Sequence, residues 1–285
     1  MTIAEIRKKY HAKIGALDLE LIIAHEIGKT REFVLAHPEY IIPEARNMKL
    51  KILINRRIKH EPIAYILGQK EFYGLNFRVN RDVLVPRPET EMLVEEVLKL
   101  QPKNSTIIDI GTGSGNIIIS LAKNLKAKNK FIAVDISPKA LKIAKYNAKL
   151  HKVDKRIKFI KSDLLSNQKI FDNLTIQQFN YLTIIANLPY LSKEIYNSVS
   201  PDIKKYEPKS ALFSPQNGLR HYAKLLKQLK KIKNKCSMLH VSCFMEFSPE
   251  QKPALQGLIK SVLSGAKLKF ARDLAGKWRV AHISL

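Results

Sequence analysis

The stretch IIANLPYLSK, Ile184 to Lys193, ends an apolar run on four residues of unlike chemistry: Asn187, Leu188, Pro189 and Tyr190. A polar amide, a rigid proline and an aromatic ring at the mouth of a buried strand suit a flat polar group better than a core. Earlier in the chain, IIDIGTGSGN places Asp109, Gly111, Gly113 and Gly115 at the exit of another strand. Glycines there allow a tight turn and let a ligand come close to the backbone. Asp135 ends the next strand, about twenty residues past the last glycine, where a carboxylate can accept both hydroxyls of a ribose. The spacing is G-x-G-x-G and not the G-x-G-x-x-G of dinucleotide enzymes, and Asp109 stands two positions before the first glycine. A carboxylate at that point repels a pyrophosphate but suits the cationic amino-acid end of S-adenosylmethionine. Asp163 in KSDLL ends a third strand, where it or a neighbouring backbone group can bond an adenine edge.

Three acidic strand ends in this order, after such a loop, resemble the class I methyltransferases. The fourth strand end, N-x-P-Y, resembles the Asn/Asp-Pro-Pro-Tyr/Phe motif of methyltransferases that modify nitrogen in planar groups. An amide or aromatic amine nitrogen has a delocalised lone pair and is a poor nucleophile. The Asn187 side-chain oxygen and the Leu188 carbonyl can accept both N–H bonds of such a group. That arrangement fixes the nitrogen toward a methyl donor and favours electron density on it, by orientation and electrostatics and without covalent catalysis. Pro189 restricts Leu188 to extended geometry, and Tyr190 offers a ring face to the planar group. The second position of the motif is usually proline and here is Leu188; the contributed group is the backbone carbonyl, so the chemistry survives with some loss of rigidity. NLPY is also the form common in ribosomal-RNA adenine dimethyltransferases, which makes those the main alternative.

These strand ends need a scaffold, and the hydrophobic pattern supplies one. Strand-like STIIDIG, KFIAVDI, IKFIKSDLL and YLTIIANLPY alternate with helix-like SGNIIISLAKNL and SPKALKIAKYNAKLH, the latter with Ser137 as N-cap and Pro138 in the first turn. Alternation of this kind predicts an α/β fold with a mainly parallel sheet and helices on both faces. Before it, residues 1 to 60 read as helical. Leu19, Ile22, Ile23 and Ile27 recur at helical spacing before Gly28, and Leu50, Leu53, Ile54 and Ile58 repeat the pattern. From Glu61 to Glu91, glycines, aromatics and short alternating runs predict a hairpin and a linker.

The 285 residues, 45% hydrophobic, suffice for one large or two ordinary domains. No stretch reaches the roughly 18 unbroken apolar residues of a membrane span, and MTIAEIRKKYHAK lacks the apolar core of a signal peptide; a cytoplasmic protein is expected. Two cysteines, Cys236 and Cys243, exclude a disulfide framework and a four-thiolate zinc site, and AHEIGKT lacks the second histidine of a zinc-protease motif. No metal is expected. The net charge of +25 fits a protein that meets RNA, ribosomes or acidic proteins. Lysine, asparagine and isoleucine are abundant together, as coding bias produces, and KLLKQLKKIKNK carries leucines at helical spacing, so it reads first as a solvated helix face.

Over essentially its whole length the chain resembles the HemK/PrmC family, which methylates the glutamine of the GGQ motif in peptide chain release factors. The matching segments are Pro62 to Gly68, Glu71 to Leu75, Val83 to Glu91, and EPKSALFSPQNGLRHY from Glu207 to Tyr222, with EFSPEQ and DLAGKWRV near the end. The resemblance implies a class I methyltransferase fold, Rossmann-like and mainly parallel with an antiparallel last strand, after a small helical bundle. The implied domains are a helical substrate-recognition domain over 1–75, a hairpin and linker over 76–90, and a catalytic domain over 91–285. The implied cofactor is S-adenosylmethionine, held by Asp109, Gly111, Thr112, Gly113, Ser114, Gly115, Asp135, Asp163, Leu164 and Asn187. Asn187, Leu188, Pro189 and Tyr190 are the implied catalytic group, joined in substrate binding by Arg87, Glu89, Glu207 and Pro208. The implied partner is a release factor through its GGQ-containing domain, in support of translation termination, with no membrane, no obligatory nucleic acid and a monomeric chain. Ser214 and Pro215 replace a glycine pair, Asn217 an aspartate and Ser248 a glycine of the family pattern, which bears on loop geometry. Adenine dimethyltransferases begin closer to their glycine loop, with glutamate in place of Asp109. Glutamine methylation of a ribosomal protein and a non-catalytic binding module are the other readings, the last marked by loss of Asn187 or the glycines, which this chain keeps.

Overall fold

The computed structural model describes residues 1–126, 128–173 and 181–285. The chain divides into two compact units, Met1–Lys70 with Ser200–Tyr206, and Glu71–Val199 with Glu207–Leu285.

The first unit is helical: α1 (Ile3–Ile14), α2 (Ala16–Ile27), α3 (Arg31–Ala36), α4 (Glu44–Ile58) and α5 (Ile63–Leu67). A capping box starts α1, with the Glu5 amide donating to the Thr2 hydroxyl at 3.2 Å and the Thr2 amide donating to the Glu5 carboxylate at 2.9 Å. The α2 stripe Leu19, Ile22, Ile23 and Ile27 is buried, and Gly28 ends the helix in the left-handed region. In α4 the stripe holds at Leu50 and Ile54 but fails at Ile58, which is 36% exposed because it is the last helical residue, beyond the bundle core. Glu20, buried in α2, receives Arg7 and Arg31 at 3.2 and 2.9 Å, so its charge is matched from two sides.

The hairpin β1 (Gln69–Phe72) and β2 (Leu75–Arg78) turns on Tyr73 and Gly74, both with positive φ. The hairpin falls inside the Glu61–Glu91 stretch where the sequence pattern put it and begins ahead of the 76–90 segment that the resemblance implies, because Gly68 stops α5 and the turn follows at once. The other elements are α6 (Glu91–Leu100), β3 (Ser105–Ile110), α7 (Asn116–Asn124), β4 (Lys130–Asp135), α8 (Pro138–Leu150), β5 (Ile157–Lys161), α9 (Gln168–Asn173), β6 (Tyr181–Ala186), α10 (Lys193–Ser198), α11 (Pro201–Tyr206), α12 (Arg220–Lys235), β7 (His240–Glu246), α13 (Lys252–Val262), β8 (Lys267–Arg272) and β9 (Trp278–Ser284). Helix α11 belongs to the helical unit, where the Tyr206 hydroxyl donates to the Lys59 carbonyl at 2.8 Å.

The seven-stranded sheet has the order β5-β4-β3-β6-β7-β9-β8. It is parallel from β5 to β7, and β9, the last strand in the chain, is antiparallel to both its neighbours. The central strands are nearly continuous apolar runs because both faces are covered. Ile108, Ile132 and Ile184 join one core with Leu225, Leu226 and Leu229 of α12, and Ile107, Ala133 and Ile185 join the other with Val94 of α6 and Leu121 of α7. Lys227, Lys230 and Lys231 of α12, interleaved with Leu226, Leu229 and Ile232, remain exposed, as a solvated helix face requires. From β3 the chain winds outward through β4 and β5, then returns to β6 on the other side of β3. The strand order reverses there, so a crevice opens at the carboxyl ends of the strands, where ligands of such sheets bind. Among the described residues no helix is long and apolar enough to cross a membrane.

Candidate active site

A cavity of about 270 Å³ fills that crevice. Of the residues singled out in the sequence, Gly111, Gly113, Asp135, Asp163, Leu164, Asn187, Leu188, Pro189 and Pro208 line it. Asp109, Thr112, Ser114 and Gly115 are behind its wall, and Arg87, Glu89, Glu207 and Tyr190 are off the lining.

The glycine loop is held from two sides. The amides of Gly111 and Thr112 donate to the Val134 carbonyl at 2.8 and 2.9 Å, and Asn147 Nδ2 donates to the Ser114 carbonyl at 2.8 Å. Gly115 has φ of 82°, and a Cβ there would stand 2.9 Å from the Ile119 side chain and 3.2 Å from Ala144. Only glycine lets α7 start this close to α8. Asp135 accepts the amides of Gly113 and Ser137 at 2.9 and 2.8 Å, one on each oxygen, which leaves each oxygen a further lone pair. Burial pushes its carboxyl up, against those amides.

Asp109 is fully buried. Its Oδ2 accepts the Thr112 hydroxyl at 2.6 Å, while Oδ1 has no hydrogen-bond partner among the described residues. Burial pushes this carboxyl up to about 7, opposed by the Thr112 hydroxyl and reinforced by Asp135. A raised carboxyl pKa means the folded state holds its proton longer than the unfolded chain. That contribution to stability is complete below the ordinary value of 3.8 and is lost as pH rises through about 7. Asp109→Asn should therefore raise the melting temperature of the ligand-free protein at pH 8 and flatten this loss. Thermal unfolding across pH measures it, and an unchanged slope would contradict it.

Three of the remaining sequence-derived residues, Asp163, Arg87 and Glu207, meet protein partners. Asp163 pairs with Lys224 at the cavity edge, and Leu164, in the left-handed region at φ of 53°, adds an apolar wall. Arg87 and Glu207, expected beside substrate, are bonded to each other, and Glu207 also accepts the Val85 amide at 3.2 Å. Glu89 lies in the turn Pro88–Thr90.

At the fourth strand end, Asn187 Nδ2 donates to Thr90 Oγ1 and to Glu246 Oε2, each at 3.0 Å. The Tyr190 hydroxyl donates to the other oxygen of Glu246 at 3.2 Å. The Tyr222 hydroxyl reaches the Leu188 carbonyl at 3.2 Å, and Gln251 Nε2 donates to the carbonyls of Tyr190 and Asn217, both at 2.8 Å. Burial pushes the hydroxyls of Tyr190 and Tyr222 well up, so both remain neutral donors. Thr90, Tyr222, Glu246 and Gln251 thus hold the N-L-P-Y segment. The sequence reading gave them no role, although each falls in a segment that carries the resemblance: Val83 to Glu91, Glu207 to Tyr222 or EFSPEQ. With both amide hydrogens engaged, Asn187 has its oxygen left for a donor, and the site can clamp a planar NH2 group.

Residues 8–68 match the PrmC N-terminal domain, and residues 101–266 match a methyltransferase domain. The chain is 32% identical over 262 residues to the release factor glutamine methyltransferase of Nitratidesulfovibrio vulgaris, covering 91% of this chain and 85% of that one. It is 34% identical over 283 residues to the protein of the same name from Rhodopirellula baltica, covering 96% and 90%. Among solved structures, the catalytic domain of hMettl16 in complex with MAT2A 3'UTR hairpin 1 is similar at a TM-score of 0.53 and 16% identity, covering 84% of this chain and 80% of that one, a likeness of fold alone.

Proposed function

The chain belongs to the release factor glutamine methyltransferase family, and from that premise we propose that it transfers a methyl group from S-adenosylmethionine to the N5 side-chain amide of the glutamine in the GGQ motif of a peptide chain release factor. The observation that carries the reading is the commitment of both Asn187 amide hydrogens to Thr90 and Glu246, which leaves two acceptors, Asn187 Oδ1 and the Leu188 carbonyl, for the two hydrogens of an acceptor amide.

The residues fit the methyl donor. The unmatched oxygen of buried Asp109 suits an ammonium group, and Asp135 keeps lone pairs toward the cavity for ribose hydroxyls. Leu164 offers an apolar face to a base. When bound, S-adenosylmethionine supplies an electrophilic methyl on a cationic sulfur. The rest of the work falls to this chain. Asn187 and Leu188 orient the acceptor nitrogen and stabilise the positive charge it gains. The Tyr190 hydroxyl, bonded to Glu246, fixes the segment that carries both acceptors. A GGQ loop suits such a cavity because its glycines let an unhindered backbone present one side chain.

Asp135→Ala should weaken S-adenosylmethionine binding by a few kcal/mol, since hydrogen bonds to a charged group contribute roughly 1.5–3 each. Calorimetry with unchanged affinity would overturn that assignment. The functional reading is tested by incubating the protein with methyl-labelled S-adenosylmethionine, a release factor and bare rRNA together. Label should enter the factor; label confined to rRNA would favour adenine methylation.

A further inference from the structure

Glu246 is the last residue of β7, and the register Ala186↔Met245 sets it opposite Asn187, one step beyond the ladder. It is 1% exposed, yet its carboxylate reaches two members of the N-L-P-Y segment, one through each oxygen. We propose that Glu246 is the positioning residue that sets the direction of the Asn187 amide and, as a carboxylate, strengthens its oxygen as the acceptor for the substrate nitrogen; this rests on the function proposed above.

An ionised carboxylate only accepts hydrogen bonds. The amide nitrogen of Asn187 must therefore face Glu246, and the amide oxygen must face away. A protonated or neutral replacement could donate instead, and Asn187 could then turn its oxygen inward. It would present N–H against the N–H of the acceptor, and the clamp would become a repulsion. The same charge polarises the Asn187 amide through a charge-assisted bond in a low-dielectric interior. More negative charge then resides on Oδ1, where the acceptor nitrogen becomes positive during transfer. The groups facing Glu246 come from four elements. Burial pushes the Glu246 carboxyl up, opposed by the Thr90 and Tyr190 hydroxyls and the Arg279 charge of β9 and reinforced by Glu89, while its two oxygens accept from Asn187 and Tyr190, and the Tyr222 hydroxyl of α12 holds its backbone carbonyl. The loop after β6, the turn before α6, and strand β7 thus meet at one carboxylate.

Glu246→Gln keeps the shape and removes the charge. It should lower kcat for release factor by about tenfold or more, as for loss of an oriented electrostatic group, with the affinity for S-adenosylmethionine unchanged. In the wild type, the Asn187 side-chain NH2 should give a slowly exchanging signal in 15N NMR of the ligand-free protein, and the variant should lose it. The acid limb of the kcat–pH profile due to Glu246 should also vanish in the variant. Normal kcat with an unchanged Asn187 signal would overturn the proposal. Should Glu246→Gln not fold, Thr90→Val serves in its place, because it removes one of the two Asn187 acceptors and a donor to Glu246. A lower kcat with intact cofactor binding supports the proposal, and wild-type kcat overturns it. The NMR arm needs no acceptor. A protected Asn187 signal that depends on Glu246, in a protein that methylates no release factor, would defeat the functional reading and leave the positioning role standing.

Discussion

Asn187→Ala should reduce methyl transfer by about a hundredfold or more while leaving S-adenosylmethionine affinity close to wild type. The asymmetry follows from what the side chain touches. Its oxygen is the free acceptor of the proposed clamp, whereas the residues proposed above to hold the cofactor are Asp109, Asp135 and Leu164, of which Asp135 and Leu164 line the cavity. Truncation leaves one N–H of the acceptor amide without its protein partner, and the nitrogen free to rotate out of line. It also removes the donor to Glu246 and Thr90, leaving a buried carboxylate with one bond fewer. Single-turnover kinetics beside calorimetry separate the two effects. Normal turnover in the variant would mean that the clamp is not the source of catalysis.

Gly218→Ala should be the most damaging small substitution at a position outside the cavity wall. Gly218 has φ of 84°, and a Cβ there would stand 1.9 Å from the Tyr190 carbonyl oxygen, 2.8 Å from its carbon and 2.2 Å from Gln251 Nε2. Two of these three atoms are backbone and cannot rotate aside. The Gln251 amide that joins Tyr190 to Asn217 must also move. Overpacking costs about 1–3 kcal/mol, and left-handed geometry adds roughly 1 more for a residue with a side chain. Transfer should fall with stability, because a shift of about 1 Å at a reacting group can cost about a hundredfold. Gly257→Ala in α13 is the control, since its Cβ would enter open space. It should leave activity intact and stability equal or slightly higher. Thermal unfolding and turnover of both variants test the contrast; equal behaviour would contradict it.

The fold was legible because the signals that define it are local. Apolar runs in strands covered on both faces, helical stripes and the Ser137 cap need only neighbouring residues to be read. The glycine loop and the N-L-P-Y segment were legible for the same reason, since Asp109 to Gly115 and Asn187 to Tyr190 are contiguous segments. What holds them was not. Glu246 lies 59 residues from Asn187 and Thr90 lies 97 away, and only the pairing of β6 with β7 brings the carboxylate opposite the amide. Arg87 and Glu207 are a further case: 120 residues apart, they pair with each other, and no local pattern shows it. Ile58 fails as a core residue because helical spacing does not say where the neighbouring helices stop.

The most direct measurement is mass spectrometry of a release factor after incubation with the protein and S-adenosylmethionine. The mass of one methyl group should appear on the glutamine of the GGQ peptide, and Asn187→Ala should leave that peptide unmodified over the same time. A GGQ peptide of unchanged mass, beside methyl groups found in rRNA or on another residue of the factor, would contradict the assignment of this site to a glutamine amide.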